Sequence, residues 1–364
     1  FQELDGWLQD DVPPEENAAP IYSKAFSLFE GSSSGWAKKE CESALNNNQA
    51  LPEEPRTIMV EYLQANEPAI RILYEATEYS RCHFSVSTAE LGLPHLASLD
   101  KALDLLRWRC IFSVLDGDAD EAVRAMLATL AAGQSVKNEP FLWSQQFRAR
   151  AIHSTVDSLE LVLSRLQLTD DALVALQSAW MDLDCPECMT RAYAGERCLK
   201  LVQGYDTKQR TRSIDQKLYR WSGIANHDRS VYDRSMLRLI EISKMPFPEA
   251  LTQMDILVKD VTETLGYWKT PQAMHLLPPF ADSIKHEAKL IAKIRMSQAA
   301  LAIERYRLLN GTLPDSLSAL VPGFLSEVPE NPFDGNDVAY DVTENGYILN
   351  CADANDPFTV QRPS

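Results

Sequence analysis

The segment CPEC at 185–188 is the sharpest chemical signature in the sequence. Two cysteines separated by two residues can close a redox disulfide or supply half of a tetrahedral zinc site. Zinc needs two further ligands; Cys198 is near, but no second C-x-x-C and no closely spaced histidine pair occurs after it. A thioredoxin-like role needs a strand–turn–helix setting, whereas AWMDLDCPECMTRAYAGERC (179–198) reads as a passage between helices. Structural thiols or a local disulfide are therefore the leading expectation for Cys185 and Cys188. Zinc held with Cys198 comes second and redox catalysis third.

Other chemistry-bearing residues are weighed the same way. GSSSG (31–35) formally matches G-x-S-x-G with Ser33 at the nucleophile position. That motif works only on a strained strand-to-helix turn, and the preceding YSKAFSLFE reads as helix, so a linker is expected. The histidines, His83, His95, His153, His227, His275 and His286, are dispersed, without H-E-x-x-H spacing. His153 flanks an apolar stripe and reads as a packed or half-exposed residue, and His286 as an exposed one. Asp353 and Asp356, with Asn355, carry oxygens of the kind calcium prefers; a solvated acidic tail is the expected state. Neither zinc nor calcium is expected as a resident cofactor.

A basic stretch stands out in an otherwise acidic chain: Lys208, Arg210, Arg212, Lys217, Arg220, Arg229 and Arg234, with Tyr219 and Trp221 among them. Such exposed charges usually pair weakly with a protein's own carboxylates. The interleaved aromatics nevertheless make Arg210, Arg212, Lys217, Tyr219, Arg220, Trp221 and Arg229 the best candidates for contacting a partner. No P-loop, dinucleotide-binding glycine fingerprint, EF-hand loop or kinase motif is present in the sequence.

The elements that must position these residues are helices. The chain has 364 residues, 45% of them hydrophobic, enough for one large or two medium domains. A net charge of -17 repels phosphate backbones, so nucleic acid is not an expected partner. The opening FQELDGWLQDDVPPEEN reads as the remainder of a chain whose signal or anchor has been removed, so a membrane is expected only through a missing N-terminal segment. The seven cysteines are scattered, unlike a small disulfide scaffold, and Cys110 in an apolar helical run reads as a buried free thiol.

Helical periodicity runs through 15–30 and through 53–79, the latter broken near Asn66-Glu67-Pro68. It continues as a pair at 96–133 that reverses at Gly117 with Asp118 or Asp120 as cap. Further helices are predicted over 147–167, over 168–183 with Thr169 or Asp170 as cap and Leu168 as staple, over 247–268 and over 281–309. Residues 204–234 read as a mobile or surface segment, and TPQAMHLLPPF (270–280) as a proline-punctuated connector. No period near 34 residues recurs, so the pairs are expected to be irregular, solenoid-like or tetratricopeptide-like hairpins. After 309, Asn310-Gly311 suits a left-handed cap and LPDSLSALVP a short helical turn. DVAYDV, TENG and YILN then read as a β-hairpin.

The helix, NGTLPDSLSAL, PENPFDG and GYIL together resemble the soluble end of a type II secretion major pseudopilin. The matching positions are Tyr306, Asn310, Gly311, Pro314, Leu317, Leu320, Pro329, Pro332, Phe333, Gly335, Tyr340, Gly346 and Tyr347. The resemblance implies a long helix packed on a small antiparallel sheet. Two departures accompany it. Several hundred helical residues precede the module in place of a membrane-inserting helix, and NCADANDPF replaces the family's calcium-binding ending. The whole chain also resembles a group of bacterial, predicted membrane-anchored helical proteins without an assigned activity, through NAAPIYSKAF (17–26), GDADEA (117–122) and EPFLWSQ (139–145).

These readings combine into one expectation. The fold is mainly α: an N-terminal helical segment (1–50), a helical-hairpin body (51–280), and a long helix with a small α+β module containing a β-hairpin (281–364). The expected function is a non-enzymatic interaction or scaffold protein on the periplasmic side of the bacterial envelope, binding a peptide, protein or glycan through a helical groove. The alternatives are an enzyme with a site assembled from sequence-distant residues, or an accessory subunit of a type II secretion or pilus-like machine.

Overall fold

The computed structural model describes residues 12–362 except 32–33, 48, 87–91, 203–222, 265–270, 353 and 355. The described chain is mainly helical and closes with a small antiparallel sheet. It divides into two compact units, one of Asp11–Val136 with Asp157–Gln167, the other including Lys137–Val156 and Leu168–Ser364. No described helix is long and apolar enough to cross a membrane.

In the first unit, α1 (Ala19–Ser27), α2 (Gly35–Asn46), α3 (Glu53–Ala65) and α4 (Glu67–Glu75) precede the helical hairpin of α5 (Pro94–Asp116) and α6 (Ala119–Gln134). The expected break between α3 and α4 falls at Asn66. Its buried side chain both accepts from the Glu30 amide and donates to the Glu30 carbonyl, so the break doubles as a tie to the end of α1. The α5–α6 reversal matches the sequence closely. Gly117 takes a left-handed φ of 77°, which costs a glycine little. Asp118, rather than Asp120, accepts from the Glu121 amide and caps α6. Leu99, Leu106, Trp108, Ile111 and Met126 are among the buried residues of the hairpin.

The helix α7 (Leu142–Arg165) contributes its first half to the second unit and its end to the first. The second unit continues with α8 (Asp170–Met181), capped by Thr169 with Leu168 buried beside it, and α9 (Pro186–Val202). After it come α10 (Ile224–Ile242), α11 (Glu249–Lys259) and α12 (Pro271–Asn310). One sequence expectation does not hold, and another meets described residues only at its end. The described end of the 204–234 segment is part of α10, because Val231, Tyr232, Met236 and Leu239 form an apolar stripe that packs with Met189, Tyr193 and Met254. Residues 271–280 are no connector; they are the first turns of α12. Pro271 is tolerated at the opening position, and burial of Phe280 and Ile284 in that cluster outweighs the donors lost at Pro278 and Pro279.

Beyond Asn310, a short 3-10 turn (Leu317–Leu320) leads to the expected hairpin, β1 (Ala339–Thr343) and β2 (Gly346–Asn350). A third strand, β3 (Phe358–Gln361), extends it in the order β1-β2-β3, all antiparallel. Tyr347, Leu349, Phe358 and Val360 are buried, and the Tyr347 hydroxyl reaches the Ala300 carbonyl of α12 at 3.4 Å. Arg362, just past β3, donates to the nearly inaccessible Glu304 of α12 at 2.8 Å.

Candidate functional site

Two features of the second unit, joined through Asp184 and Cys185, gather polar, charged or thiol side chains: a groove between α8, α12 and the terminal module, and the thiol pair that opens α9.

The groove has a volume of about 520 Å3. One wall is helical, from Gln177, Met181 and Asp184 on and after α8 and from Arg295 and Gln298 on α12; the other is the irregular segment Phe324–Glu330. The walls are held apart and aligned by hydrogen bonds. Gln177 donates to the Phe324 carbonyl at 2.6 Å, while its oxygen accepts from Arg305 at 2.9 Å. Arg305 also pairs with Asp170 at 2.9 Å and lies over the Phe324 ring. Arg295 spans the groove, donating to the Glu330 carbonyl at 2.8 Å and facing Asp184 at 3.4 Å. Met181, 69% exposed, presents an adaptable apolar chain at the rim.

The thiol pair is shaped by the chain's turn from α8 into α9. Pro186 occupies the first position of α9, where a missing amide hydrogen costs nothing. The Cys188 amide donates to the Cys185 carbonyl at 3.1 Å. Pro186 and Glu187 are exposed, Cys185 is half-buried and Cys188 is buried. The Cys188 thiol hydrogen-bonds the Cys185 sulfur and holds the Cys185 thiol well down, at about 6; Arg148, the Cys188 amide and Lys137 act in the same direction against the effect of burial. Cys188 moves the other way, because it is the donor of that bond and is buried. Arg148 is itself buried and hydrogen-bonds the Leu183 carbonyl.

Glu287 of α12 completes this surrounding. Burial pushes its carboxyl up to about 7, Arg148 opposes that, and Asp184 and Cys185 add to it. Glu287 also helps line a smaller cleft of about 280 Å3, with Gln145, Arg150, His153, Met189 and His286. The remaining described cysteines with shifted thiols lie elsewhere and move upward by burial, Cys110 to about 12 and Cys351 to about 11.

The structure treats the other sequence candidates unevenly. Arg210, Arg212, Lys217, Tyr219, Arg220 and Trp221 lie outside the described residues, as does Ser33; Arg229 is an exposed residue of α10. GSSSG sits between two helices, with Ser34 capping α2, and no strand leads into it. Cys198 lies ten residues beyond Cys188 on the same helix, a separation of about 15 Å along its axis. That excludes a zinc ion bound by both. Asp356 is an exposed residue 3.8 Å from Lys293, and Asp353 is outside the described residues. Among the described residues no group of three or more histidine, cysteine or acidic side chains could hold a metal. His153 is half-buried and His286 exposed, as read from the sequence.

Comparisons with family models, with curated proteins and with solved structures found no match to this chain. The groove was not anticipated. No local sequence pattern marks it, because its wall from α8 and Asp184 lies 140 or more residues from its opposite wall at 324–330.

Proposed function

We propose that this chain is an interaction protein of the bacterial cell envelope that binds an extended peptide segment of a partner in the groove between α8, α12 and the 324–330 segment. The groove itself carries the reading. Its volume lies in the range of ligand-binding clefts. It offers an apolar chain at Met181 and an aromatic ring at Phe324 for partner side chains. Arg295 and Gln298 offer polar groups for a peptide backbone. An arginine and an aromatic ring lining one groove are the pattern of a binding surface more than of a sealed reaction chamber. The resemblance of the terminal module to the end of a secretion pseudopilin supports the envelope location, and the 324–330 segment of that module lines the groove.

Panning a phage library of random dodecapeptides against the purified chain tests the proposal. Peptides should be enriched that bind with micromolar affinity. The Met181→Asp variant should weaken the best of them at least about tenfold, equivalent to about 1.4 kcal/mol. Trp143→Asp, at a 71% exposed residue of α7 outside the groove, should leave it unchanged. No enrichment, or equal binding by the Met181→Asp variant, would rule the groove out.

A further inference from the structure

We propose that Cys185 and Cys188 form a thiol–disulfide exchange centre, in which Cys185 is the attacking thiolate and Cys188 the resolving thiol, acting on disulfides carried by small thiols or by proteins. The inference rests on local geometry and does not depend on the groove binding a peptide.

Three structural observations support it. The pair opens a 17-residue helix, where backbone amides and the helix dipole favour a thiolate. Access is unequal in the useful sense, since the half-buried Cys185 can meet a substrate and the buried Cys188, 1% exposed, can meet only Cys185. A buried guanidinium, Arg148 at 2% exposure, stands behind the pair on α7. This arrangement needs no thioredoxin-like sheet. Redox chemistry ranks low in the sequence because a helix precedes the motif, yet the thiolate is stabilised by the helix on its other side. A metal site, the other use of such a pair, lacks its further ligands among the described residues.

Atoms and electrons balance in two steps. The Cys185 thiolate attacks one sulfur of R–S–S–R′, breaking that bond, forming a mixed disulfide Cys185–S–S–R and releasing R′S−. Cys188 then attacks the Cys185 sulfur, its proton passing to the departing thiolate, so that RSH leaves and the Cys185–Cys188 disulfide closes. Two protein thiols lose two electrons in total, and the substrate disulfide gains them. The reverse sequence oxidises a substrate dithiol. The groups that act on Cys185 are Cys188 on α9, Arg148 on α7 and Lys137 before α7; Glu287 on α12 is in turn acted on by Cys185 and Asp184.

Two measurements test the proposal. In the first, the Cys188→Ser variant is incubated with glutathione disulfide or with insulin, and adducts are mapped by mass spectrometry. A mixed disulfide should accumulate on Cys185 and disappear in the Cys185→Ser variant. Trapping with glutathione alone assigns small-thiol disulfides as substrate, trapping with insulin assigns protein disulfides, and trapping with neither overturns the proposal. The second measurement uses the unaltered protein, so a folding defect in the variant does not obscure the answer. Iodoacetamide labelling of Cys185 should be half-maximal near pH 6. At about pH 5 it should run roughly 30-fold faster than glutathione, the thiolate excess being partly offset by lower nucleophilicity. A labelling profile that rises through pH 9 like that of an ordinary thiol, or native mass spectrometry showing one zinc ion retained by the pair, would contradict the exchange centre.

Discussion

Beside the thiol pair, Glu287 is held protonated up to about pH 7 by burial, although Arg148 favours its charged form. A carboxyl with a raised folded-state value binds a proton the unfolded chain has already released. It therefore costs nothing at low pH, and stability is lost as pH rises from the ordinary glutamate range through about 7. The Glu287→Gln variant should match the parent in Tm at about pH 4 and exceed it at about pH 8. The gain should be roughly 1–2 kcal/mol, after allowance for the residue's partial solvent contact. Thermal melts at the two pH values check this; an equal shift at both would mean that the carboxyl's charge is not what is being removed. CPEC itself was legible as chemistry from its spacing alone. Which cysteine would be exposed was not, because that depends on Pro186 turning the chain and on α7 and α12 covering Cys188. Glu287 carried no sequence signal at all, being one acidic residue in a helix of alternating charges.

At the scale of elements, the close approach of α9 to the chain before α7 is decided by Gly195. A Cβ there would lie 1.9 Å from the Pro140 carbonyl oxygen and 2.8 Å from its carbonyl carbon. In an open helix, glycine to alanine stabilises by about 1 kcal/mol. Here Gly195→Ala should instead destabilise by about 2 kcal/mol or more, since rigid backbone must move. It should also loosen the Leu142 amide's bond to Glu196, 3.2 Å in length. Urea denaturation gives the sign directly, and a stabilised variant would refute the packing described. Helix ends were the most readable elements: Asn66-Glu67-Pro68, Gly117-Asp118 and Thr169 each stop or start a helix by local chemistry alone. Residues 271–280 were misread because three prolines outweigh periodicity in a local reading. Phe280 and Ile284 reveal their partners on α9, α10 and α11 only once the chain has folded. The third strand was missed for a similar reason, since Phe358 and Val360 alternate over too few residues to stand out before β2 offers an edge.

For the whole molecule, the mainly α architecture with a hairpin at its carboxyl end was legible in periodicity and turn residues spread over the entire chain. The groove was not, because its walls are brought together by long-range ties such as Gln177 to Phe324 and Arg295 to Glu330. In the sequence, the natural candidate for a partner surface is the basic stretch around 208–234, where charge is conspicuous. The folded chain places Arg295, one of three arginines on α12, across a groove beside Met181. The terminal module does more than close the chain, since its 324–330 segment lines one side of the groove. Hydrogen exchange, read by mass spectrometry with and without the best selected dodecapeptide, tests this claim most directly. Bound peptide should slow exchange in 177–184 and in 324–330 together. Protection of neither segment, with slowing confined to other regions, would contradict it.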